Sequence, residues 1–346
     1  MRQLAILAAL AAALQATMNC AGERSPYVPG GGAPDIGPAP SGGDLTEPGD
    51  SALGDASRPD AGAPADVAAR PDLGAGTDAP TDVPAAADGP ARPDAARPAT
   101  VTVVTLNLRC LLDDWAARLP ILVDALAALD PDVVGFQEVC HDTQTTADNL
   151  AELMAALEVR TGDTWTARFA GTHRGWNRYD EGIAVASRHG LATTEVVALP
   201  TGVFPRKVVM ARIDAPAGAL VFATTHLDHQ DADVRGEQAA AVVEALSAFS
   251  APDDAVILTG DMNEGPEGGA AAAFEAAGFA DTWAALHPGD PGPTIPSSAP
   301  NERIDYVRLR PGASGWAPLS VERILTAPVG GVYGSDHLGV AAVVGR

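Results

Sequence analysis

The sequence has little cysteine and almost no lysine. It holds three cysteines and one lysine, Lys207. Zinc sites built from thiolates need more cysteines than these, so that class of metal site is excluded. The chain also has no Gly-rich Walker loop, no His-Glu-x-x-His helix and no Gly-x-Ser-x-Gly elbow. These absences exclude P-loop nucleotide hydrolysis, zinc proteolysis of that type and serine hydrolysis on an α/β-hydrolase sheet.

Positive charge is scarce throughout the chain. The formal net charge is −23, and the first 99 residues carry six basic and 13 acidic side chains, so −16 remains on the rest. An acidic domain repels polyanions at a distance, and avid non-specific binding of nucleic acid is therefore not expected. Local basic groups or bound divalent cations would still allow a phosphate group to bind to this acidic domain.

Long hydrophobic runs are missing as well, and the apolar stretch near the start is too short to span a membrane comfortably. Residues 1–20 carry Arg2 and then a run of Leu and Ala, a pattern that predicts a bacterial export signal. Cys20 stands where a lipoprotein signal places its acylated cysteine, although the three residues before it fit that signal poorly. Lipidation of Cys20 and ordinary cleavage nearby both stay open. We expect an exported bacterial protein, either secreted or lipid-anchored at the cell surface or envelope.

Residues 21–99 have almost no aromatic or large aliphatic side chains and consist mostly of Pro, Ala, Gly and Asp. Such a segment cannot bury enough apolar surface to offset the entropy of ordering it. We therefore expect residues 21–99 to be a disordered tether, semi-extended because of its prolines.

Residues 100–346 alternate strand-like and helix-like patterns and are expected to form one domain. Residues 182–225 read as consecutive strands, which argues for a layered α/β protein with mixed sheets rather than a purely parallel one. The predicted helices cover 119–129, 147–159, 234–249 and 270–277. The predicted strands cover 101–106, 133–137, 182–187, 194–199, 207–213, 220–225, 256–260, 304–310 and 338–344.

Six of the apolar segments lead to residues that can hold a metal or move a proton. Ligands of sheet proteins are bound beyond the strand ends, so polar groups carried there by several strands can meet in one pocket. The pattern predicts an active site whose residues are scattered along the chain. The residues are Asn107, Glu138, His226, Asp261 with Asn263, Asp305, and Asp336 with His337.

Each of these positions also has an ordinary structural explanation. Asp261 and Asn263 would point the same way from an extended segment, or they would simply close the strand as an Asx turn. Asp336 and His337 would point to opposite faces and contact different groups, or they would be a capping carboxylate beside a solvated imidazole. Asn107 and Glu138 taken singly would be solvated strand ends.

Taken together in chain order, these residues resemble the endonuclease/exonuclease/phosphatase superfamily. That superfamily includes pancreatic-type deoxyribonucleases, abasic-site endonucleases, inositol polyphosphate 5-phosphatases and bacterial sphingomyelinases. The resemblance covers about residues 101–344, effectively the whole predicted domain. The matching segments are Thr105-Leu106-Asn107, Gln137-Glu138-Val139, Thr225-His226-Leu227, Gly260-Asp261-Met262-Asn263, Arg303-Ile304-Asp305-Tyr306 and Ser335-Asp336-His337.

The resemblance implies a four-layer α/β sandwich, in which two mixed β-sheets pack face to face with helices outside. It also implies a cation bound by Glu138, with Asp336 and Asn107 contributing directly or through water. Oxygen ligands of this kind suit Mg²⁺ first and Mn²⁺ or Ca²⁺ next.

The resemblance further implies in-line hydrolysis of a P–O bond. His337, oriented by Asp305, would take a proton from the attacking water. Asp261 and Asn263 would position that water and a phosphoryl oxygen. His226 would hydrogen-bond the phosphate.

Several positions stay open at this stage. Glu181 is the nearest candidate for a further site residue of this family, and it would equally serve as a turn residue. Arg206 and Lys207 follow a proline and are expected in a solvated loop, with binding of substrate phosphate as the alternative. Cys110 and Cys140 each follow a predicted strand end closely, so we predict a disulfide between them, against two separate thiols.

The expected function is that of a metal-dependent phosphoric ester hydrolase that acts as a monomer on a phosphodiester or phosphomonoester. A nucleic-acid substrate is slightly favoured by the frequency of nucleases in the family and by the extracellular location. A phospholipid or a small molecule is the alternative, favoured by the acidic surface and the possible membrane attachment through lipidated Cys20. A non-enzymatic surface binding protein on the same fold is the rival from another class.

Overall fold

A computed structural model describes residues 100–346. The predicted export signal, Cys20 and the predicted tether lie outside the described residues. No helix within 100–346 is long and apolar enough to cross a bilayer.

Two six-stranded sheets form the centre of the domain. The strands of the domain are β1 (Thr100–Asn107), β2 (Val133–Asp142), β3 (Thr166–Gly175), β4 (Tyr179–Ser187), β5 (Thr193–Ala198), β6 (Lys207–Ala215), β7 (Gly218–His226), β8 (Val256–Asp261), β9 (Ala280–Asp281), β10 (Asp305–Arg310), β11 (Ala317–Ile324) and β12 (Gly339–Gly345). The first sheet has the order β11-β12-β1-β2-β4-β3 and the second the order β5-β6-β7-β8-β10-β9. The helices are α1 (Trp115–Leu129), α2 (Asn149–Thr161), α3 (Ala232–Phe249), α4 (Gly269–Ala276) and α5 (Thr282–Leu286).

Each sheet contains one parallel pair among antiparallel neighbours. Strands β1 and β2 pair in parallel and are joined through α1, while β7 and β8 pair in parallel and are joined through α3. The remaining strand pairs are antiparallel. The sheets are therefore mixed, as the sequence predicts.

Three apolar clusters give the domain its layers. The first fills the space between the two sheets and includes Val103, Val209 and Phe222. The second packs the outer face of the first sheet against α1 and α2, and the third packs the outer face of the second sheet against α3 and α4. Burial of these side chains is the main favourable term that holds the layers together. The predicted four-layer α/β sandwich is confirmed.

The two sheets pack closely at Gly135 on β2. A Cβ atom there would lie 2.4 Å from Oγ1 of Thr259 and 2.7 Å from Oγ1 of Thr224, both on the opposing sheet. The side chain of Gln137 crosses the same gap and donates a hydrogen bond of 2.8 Å to Oγ1 of Thr224. Glycine is therefore required at 135 by the close packing of the sheets.

Helix α1 begins four residues before the predicted start. Asp114 caps it by accepting a hydrogen bond from the backbone N–H of Ala117, and Asp130, just before Pro131, ends it. Pro120 therefore lies inside α1, and the predicted start at Leu119 was four residues too far along the chain. A side-chain cap of this kind fixes a helix start more firmly than the apolar periodicity does.

The sequence pattern missed β3, β11, the short strand β9 and the five-residue helix α5. Strands β3 and β11 are the two edge strands of the first sheet. Most of their side chains are exposed or only half-buried. An edge strand needs few apolar residues, so its alternation is weak in the sequence.

Candidate active site

The polar strand-end residues gather at one edge of the sandwich. Asn107, His226 and Asp261 are the last residues of β1, β7 and β8. Strand β10 runs antiparallel to β8 and β12 antiparallel to β1, so their starts lie at this same edge. Asp305 is the first residue of β10, and His337 stands two residues before β12. Residues far apart in the sequence thus meet because of strand direction.

Asp261 lies at the centre of this group. Strand register pairs it with His226 on β7 and with Asp305 on β10. Its Oδ2 atom is 3.2 Å from Nδ2 of Asn107, 3.5 Å from Nε2 of His226 and 3.8 Å from Nε2 of His337. Burial, and then the charge of Asp305, raise the pKa of Asp261 to about 7.

His337 and Asp305 form a buried hydrogen-bonded pair, with Nδ1 of His337 3.0 Å from Oδ2 of Asp305. The hydroxyl of Thr294 donates to the same carboxylate oxygen at 2.6 Å. Burial opposes the charged imidazole, but the Asp305 carboxylate outweighs it and raises the pKa of His337 well above its ordinary value. The carboxylate therefore fixes the ring, which presents Nε2 toward Asp261.

Glu138 projects from an irregularity in β2. The register between β2 and β4 shifts between Phe136 and Val139, and Glu138 has a φ of 49°. A bulge of this kind re-aims a side chain at the edge of a sheet. The Oε1 atom of Glu138 accepts a hydrogen bond of 3.0 Å from Nδ2 of Asn107. Asn107 thus links Glu138 on the first sheet to Asp261 on the second.

Asp336 lies beside Glu138 and forms an ion pair with the guanidinium of Arg109. Burial, and then the neighbouring Asp336 carboxylate, raise the pKa of Glu138. As predicted, Asp336 and the adjacent His337 contact different groups, Arg109 and Asp305 respectively.

The structure places Asn263 differently from the extended geometry considered above. Its φ is 50°, and its backbone N–H donates to Oδ1 of Asp261 at 2.9 Å, which is the Asx turn that was the alternative. The side-chain amide of Asn263 donates to the carbonyl of Leu227 at 3.0 Å. The turn uses Oδ1 of Asp261 and leaves Oδ2 near Asn107, His226 and His337, so the Asx turn does not prevent the predicted role of Asp261.

Glu181 lies on β4 and is buried, with 6% of its surface exposed. Burial, and then the charge of Glu138, raise its pKa to about 8. Its Oε2 atom is 3.8 Å from Nε2 of His173. The position of Glu181 beside the acidic group agrees with a site role rather than with a turn.

The sequence predicted that Arg206 lies in a solvated loop, and this prediction is wrong. The residue is buried, with only 4% of its surface exposed. Its Nε atom has no hydrogen-bond partner within the described residues. The carboxylates that act most strongly on its charge are those of Glu181, Asp261 and Glu138. A buried guanidinium whose Nε has no hydrogen-bond partner among the described residues can offer a donor to an anion.

His226 is buried, and the side chains of Arg206 and His337 lie close enough for their charges to act on it. Burial, followed by the charges of Arg206 and His337, lowers the pKa of His226 well below its ordinary value. A neutral imidazole in this position can donate a hydrogen bond from one ring nitrogen.

The chemistry of the donors at Glu138 and Asp336 fits a hard divalent cation. Two neighbouring carboxylates, one of them the half-buried Glu138 with its raised pKa, form a negative pair whose repulsion a bound cation would relieve. Asp261, Asp305 and His337 form a second group whose ligand atoms lie within 4.8 Å of one another and could also hold a metal. The Oδ1 atom of Asp305 is buried and has no hydrogen-bond partner among the described residues.

The structure bears out the predicted disulfide between Cys110 and Cys140, whose Cα atoms are 4.9 Å apart. The backbone N–H of Cys110 donates to the carbonyl of Glu138 at 3.0 Å. The disulfide therefore joins the segments that follow Asn107 and Glu138, directly behind the acidic group.

Sequence reasoning missed one basic residue of this region, Arg109, and it gave phosphate binding by Arg206 only as the alternative to a solvated loop. Arg109 follows Asn107 by two positions, and no pattern in the sequence marked it. The proline before Arg206 indicated a loop, but it did not reveal that the loop folds the guanidinium inward.

Comparison with known proteins agrees with this arrangement. The model of the Endonuclease/Exonuclease/phosphatase family matches residues 104–337. The chain belongs to this family. Family members are generally hydrolases that act on phosphoester bonds. No curated protein matches the sequence.

Several solved structures share the fold. A family protein from Leptotrichia buccalis has a TM-score of 0.60 and 18% identity, over 71% of this chain and 100% of that one. TDP2 from D. rerio, complexed with single-strand DNA product, has a TM-score of 0.58 and 20% identity, over 71% and 99%. The mannosyl-6-phosphatase from Bacteroides thetaiotaomicron has a TM-score of 0.54 and 18% identity, over 71% and 100%.

Proposed function

We propose that the chain is an exported, divalent-metal-dependent phosphoesterase that hydrolyses a phosphodiester, with a nucleic-acid substrate favoured. The observation that carries the proposal is the Asp305–His337 pair, which faces Asp261 at the same sheet edge as the Glu138 and Asp336 carboxylates. A base, a cation-binding pair of carboxylates and a buried guanidinium are the groups that in-line attack of water on a phosphate ester requires.

Glu138 and Asp336 would hold the cation, with Mg²⁺ preferred and Mn²⁺ or Ca²⁺ as substitutes. Carboxylate oxygens suit these hard ions better than imidazole does. When bound, the cation neutralises charge on phosphoryl and leaving-group oxygens. Asn107 uses its Nδ2 atom to hold Glu138, and its Oδ1 atom accepts from the backbone N–H of Arg109 at 2.9 Å. Its contribution to the cation would then be orientation of Glu138.

His337 would act as the general base. Its Nδ1 atom is committed to Asp305, so in the neutral form of the ring, which the raised pKa of His337 shifts to higher pH, Nε2 is the nitrogen that can accept a proton from water. Asp305 fixes the tautomer and stabilises the imidazolium that forms. Asp261, 3.8 Å from Nε2, would hold the water between the two side chains, and Asn263 would keep Asp261 oriented through its backbone N–H.

The substrate phosphate would lie against His226 and Arg206. The guanidinium is buried and its Nε has no hydrogen-bond partner among the described residues, so it can form a charge-assisted hydrogen bond with a phosphoryl oxygen. His226 would add a neutral donor on the same side. Both positive charge and donors are thus supplied locally, which offsets the acidity of the domain as a whole.

A nucleic-acid substrate is favoured for two reasons. A structural neighbour, TDP2 from D. rerio, is complexed with single-strand DNA product. The local guanidinium and the bound cation together would admit a polyanion that the net charge otherwise repels. A phosphomonoester is the second candidate, because another neighbour is a mannosyl-6-phosphatase.

Export is part of the same proposal. The disulfide between Cys110 and Cys140 is typical of an oxidising compartment, and it agrees with the charged, apolar pattern of residues 1–20. Mass spectrometry of the mature N-terminus, taken from membrane and medium fractions, distinguishes a released chain from one that is lipid-anchored through Cys20.

The decisive experiment is hydrolysis of a short single-stranded oligonucleotide by the purified protein, with Mg²⁺ and with excess chelator. We expect cleavage with Mg²⁺ and its loss with chelator. Glu138→Gln should abolish cleavage, whereas the exposed Glu322→Gln should cleave as the unmodified protein does. Full activity in chelator, or in Glu138→Gln, would contradict metal dependence. A mannose 6-phosphate assay in parallel tests the second candidate.

A further inference from the structure

Three flat rings from three separate segments stack beside the site. The ring centroids of His173 and Phe204 are 4.3 Å apart with planes 12° from parallel, and those of Phe204 and His229 are 5.5 Å apart with planes 14° from parallel. His173 lies on β3, Phe204 in the loop between β5 and β6, and His229 in the loop after β7. We call these three residues the ring stack.

The ring stack runs from the interior to the surface. The side chain of His173 is 9% exposed, Phe204 is 37% exposed, and His229 is exposed. Exposed phenylalanine is costly to leave in water, and here it is held in one orientation by ring contacts. The result is a preformed aromatic surface that is open to solvent at its outer end.

The middle and inner rings of the ring stack, Phe204 and His173, adjoin Arg206 and Glu181. The guanidinium carbon of Arg206 is 6.0 Å from the centroid of Phe204. Nε2 of His173 is 3.8 Å from Oε2 of Glu181. A group that lies on the ring stack would therefore be next to a phosphate bound at Arg206.

The charge near the rings restricts which group can stack there. The Arg206 guanidinium next to Phe204 disfavours a quaternary ammonium group such as choline, because two cations would share one aromatic ring. Burial, and then Arg206, lower the pKa values of both His173 and His229, so the imidazoles are neutral and add no charge of their own. An uncharged planar ring is the group that fits this surface.

We propose that the ring stack of His173, Phe204 and His229 binds the nucleobase adjacent to the scissile phosphate. The inference rests on the proposed phosphoesterase function and narrows its substrate to nucleotide esters. Base stacking on aromatic side chains tolerates every base, because each has a π-face. The ring stack would thus favour single-stranded nucleic acid without selecting a sequence.

The test compares two ligands that differ only in the base, thymidine 5′-monophosphate and 2-deoxyribose 5-phosphate. Calorimetry with the whole protein and Mg²⁺ measures both affinities, so no turnover is needed. We expect the nucleotide to bind about tenfold more tightly, which is the low end of stacking free energies for one base. In Phe204→Leu the ratio of the two affinities should fall to near one, and in Phe204→Tyr it should be retained.

Equal affinities for the two ligands in the unmodified protein, or no binding of either, would overturn the proposal. So would a ratio that Phe204→Leu leaves intact. A Phe204→Leu protein that fails to fold, as judged by circular dichroism, is replaced by His229→Ala, which removes the exposed end of the ring stack. Failure of the phosphoesterase function gives a different result, because the oligonucleotide then stays uncleaved with Mg²⁺ whatever the affinity ratio.

Discussion

Nδ1 of His337 lies 3.0 Å from Oδ2 of Asp305, although 32 positions separate the two residues. Both are almost fully buried, with side-chain exposures of 5% and 1%. Their pairing depends on β10 and β12 starting at the same edge of two different sheets.

Asp305→Asn should test this pair. The amide keeps the shape but removes the charge that stabilises the imidazolium, and we expect kcat to fall by about 100-fold or more. Mg²⁺ affinity should change little, because the proposed cation ligands are Glu138 and Asp336. Steady-state kinetics and calorimetry measure the two effects. The exposed Asp214→Asn is the matched control. A large loss of Mg²⁺ affinity in Asp305→Asn would instead place the cation in the group of Asp261, Asp305 and His337.

Glu138→Gln should lower Mg²⁺ affinity, unlike Asp305→Asn. Loss of a carboxylate ligand should weaken Mg²⁺ binding by about 100-fold or more, and kcat at ordinary Mg²⁺ should fall by about 1,000-fold. The protein should remain folded, because Gln keeps an oxygen that can accept the hydrogen bond from Nδ2 of Asn107 and because the repulsion from Asp336 is relieved. Partial recovery of rate at high Mg²⁺ or Mn²⁺ would support a ligand role, and unchanged Mg²⁺ affinity would argue against it.

Arg206→Lys should reveal how the phosphate is held. Lysine keeps the charge but lacks the planar fork, so bidentate contact with phosphoryl oxygens is lost. We expect KM to rise by about tenfold with a smaller change in kcat, since a hydrogen bond to a charged group is worth about 1.5–3 kcal/mol. The exposed Arg168→Lys on β3 should leave both constants unchanged. Equal KM values in the Arg206 and Arg168 variants would remove Arg206 from the site.

The double variant Cys110→Ser/Cys140→Ser should affect both stability and metal binding. The disulfide closes a separation of 30 residues, and its loss should lower the free energy of unfolding by about 3–4 kcal/mol. Mg²⁺ affinity should fall too, because the segment that carries Glu138 loses its tether to Cys110. Urea unfolding and calorimetry measure these changes. Reduction of the unmodified protein should reproduce them, and no change under reduction would contradict the role of the disulfide.

Acid stability should depend on Asp132. Burial opposes its charge, but hydrogen bonds from the backbone of Thr102 and from His189 and Arg188 prevail and lower its pKa. A lowered folded-state pKa contributes stability above the unfolded value, which is about 4, and that contribution is lost as pH falls through the folded value. In Asp132→Asn the midpoint of urea unfolding should therefore fall less steeply between pH 5 and pH 3. A slope identical to that of the unmodified protein would contradict this.

Much of the architecture follows from the sequence because its signals are local. Central strands such as β8 begin with an apolar run, and β8 ends at the polar residue Asp261 that was predicted for the site. The site residues at those ends were identified for the same reason. Edge strands β3 and β11 were not, since their side chains face solvent and follow no apolar alternation.

The remaining part of the site depends on tertiary contacts that no local pattern encodes. The inward turn of Arg206, the left-handed backbone of Glu138 and the ring contacts of Phe204 arise only when separate segments pack together. The Asx turn at Asp261 and Asn263 shows the opposite case, in which a local motif was visible in the sequence and the structure confirms its structural interpretation, while the role of the two residues in catalysis stays a prediction.

The narrow gap at Gly135 has a consequence for how such a chain can change over time. The groups proposed for the cation project mainly from the first sheet, and those proposed for the water and the phosphate mainly from the second. Their spacing is set by the packing of Gly135 against Thr224 and Thr259, below the site. Substitutions in this interior layer would alter the distance between the groups proposed for the cation and those proposed for the water and the phosphate, although none of the substituted residues contacts the substrate. Selection for the proposed activity would therefore also act on small residues between the sheets, such as Gly135, which lie away from the site.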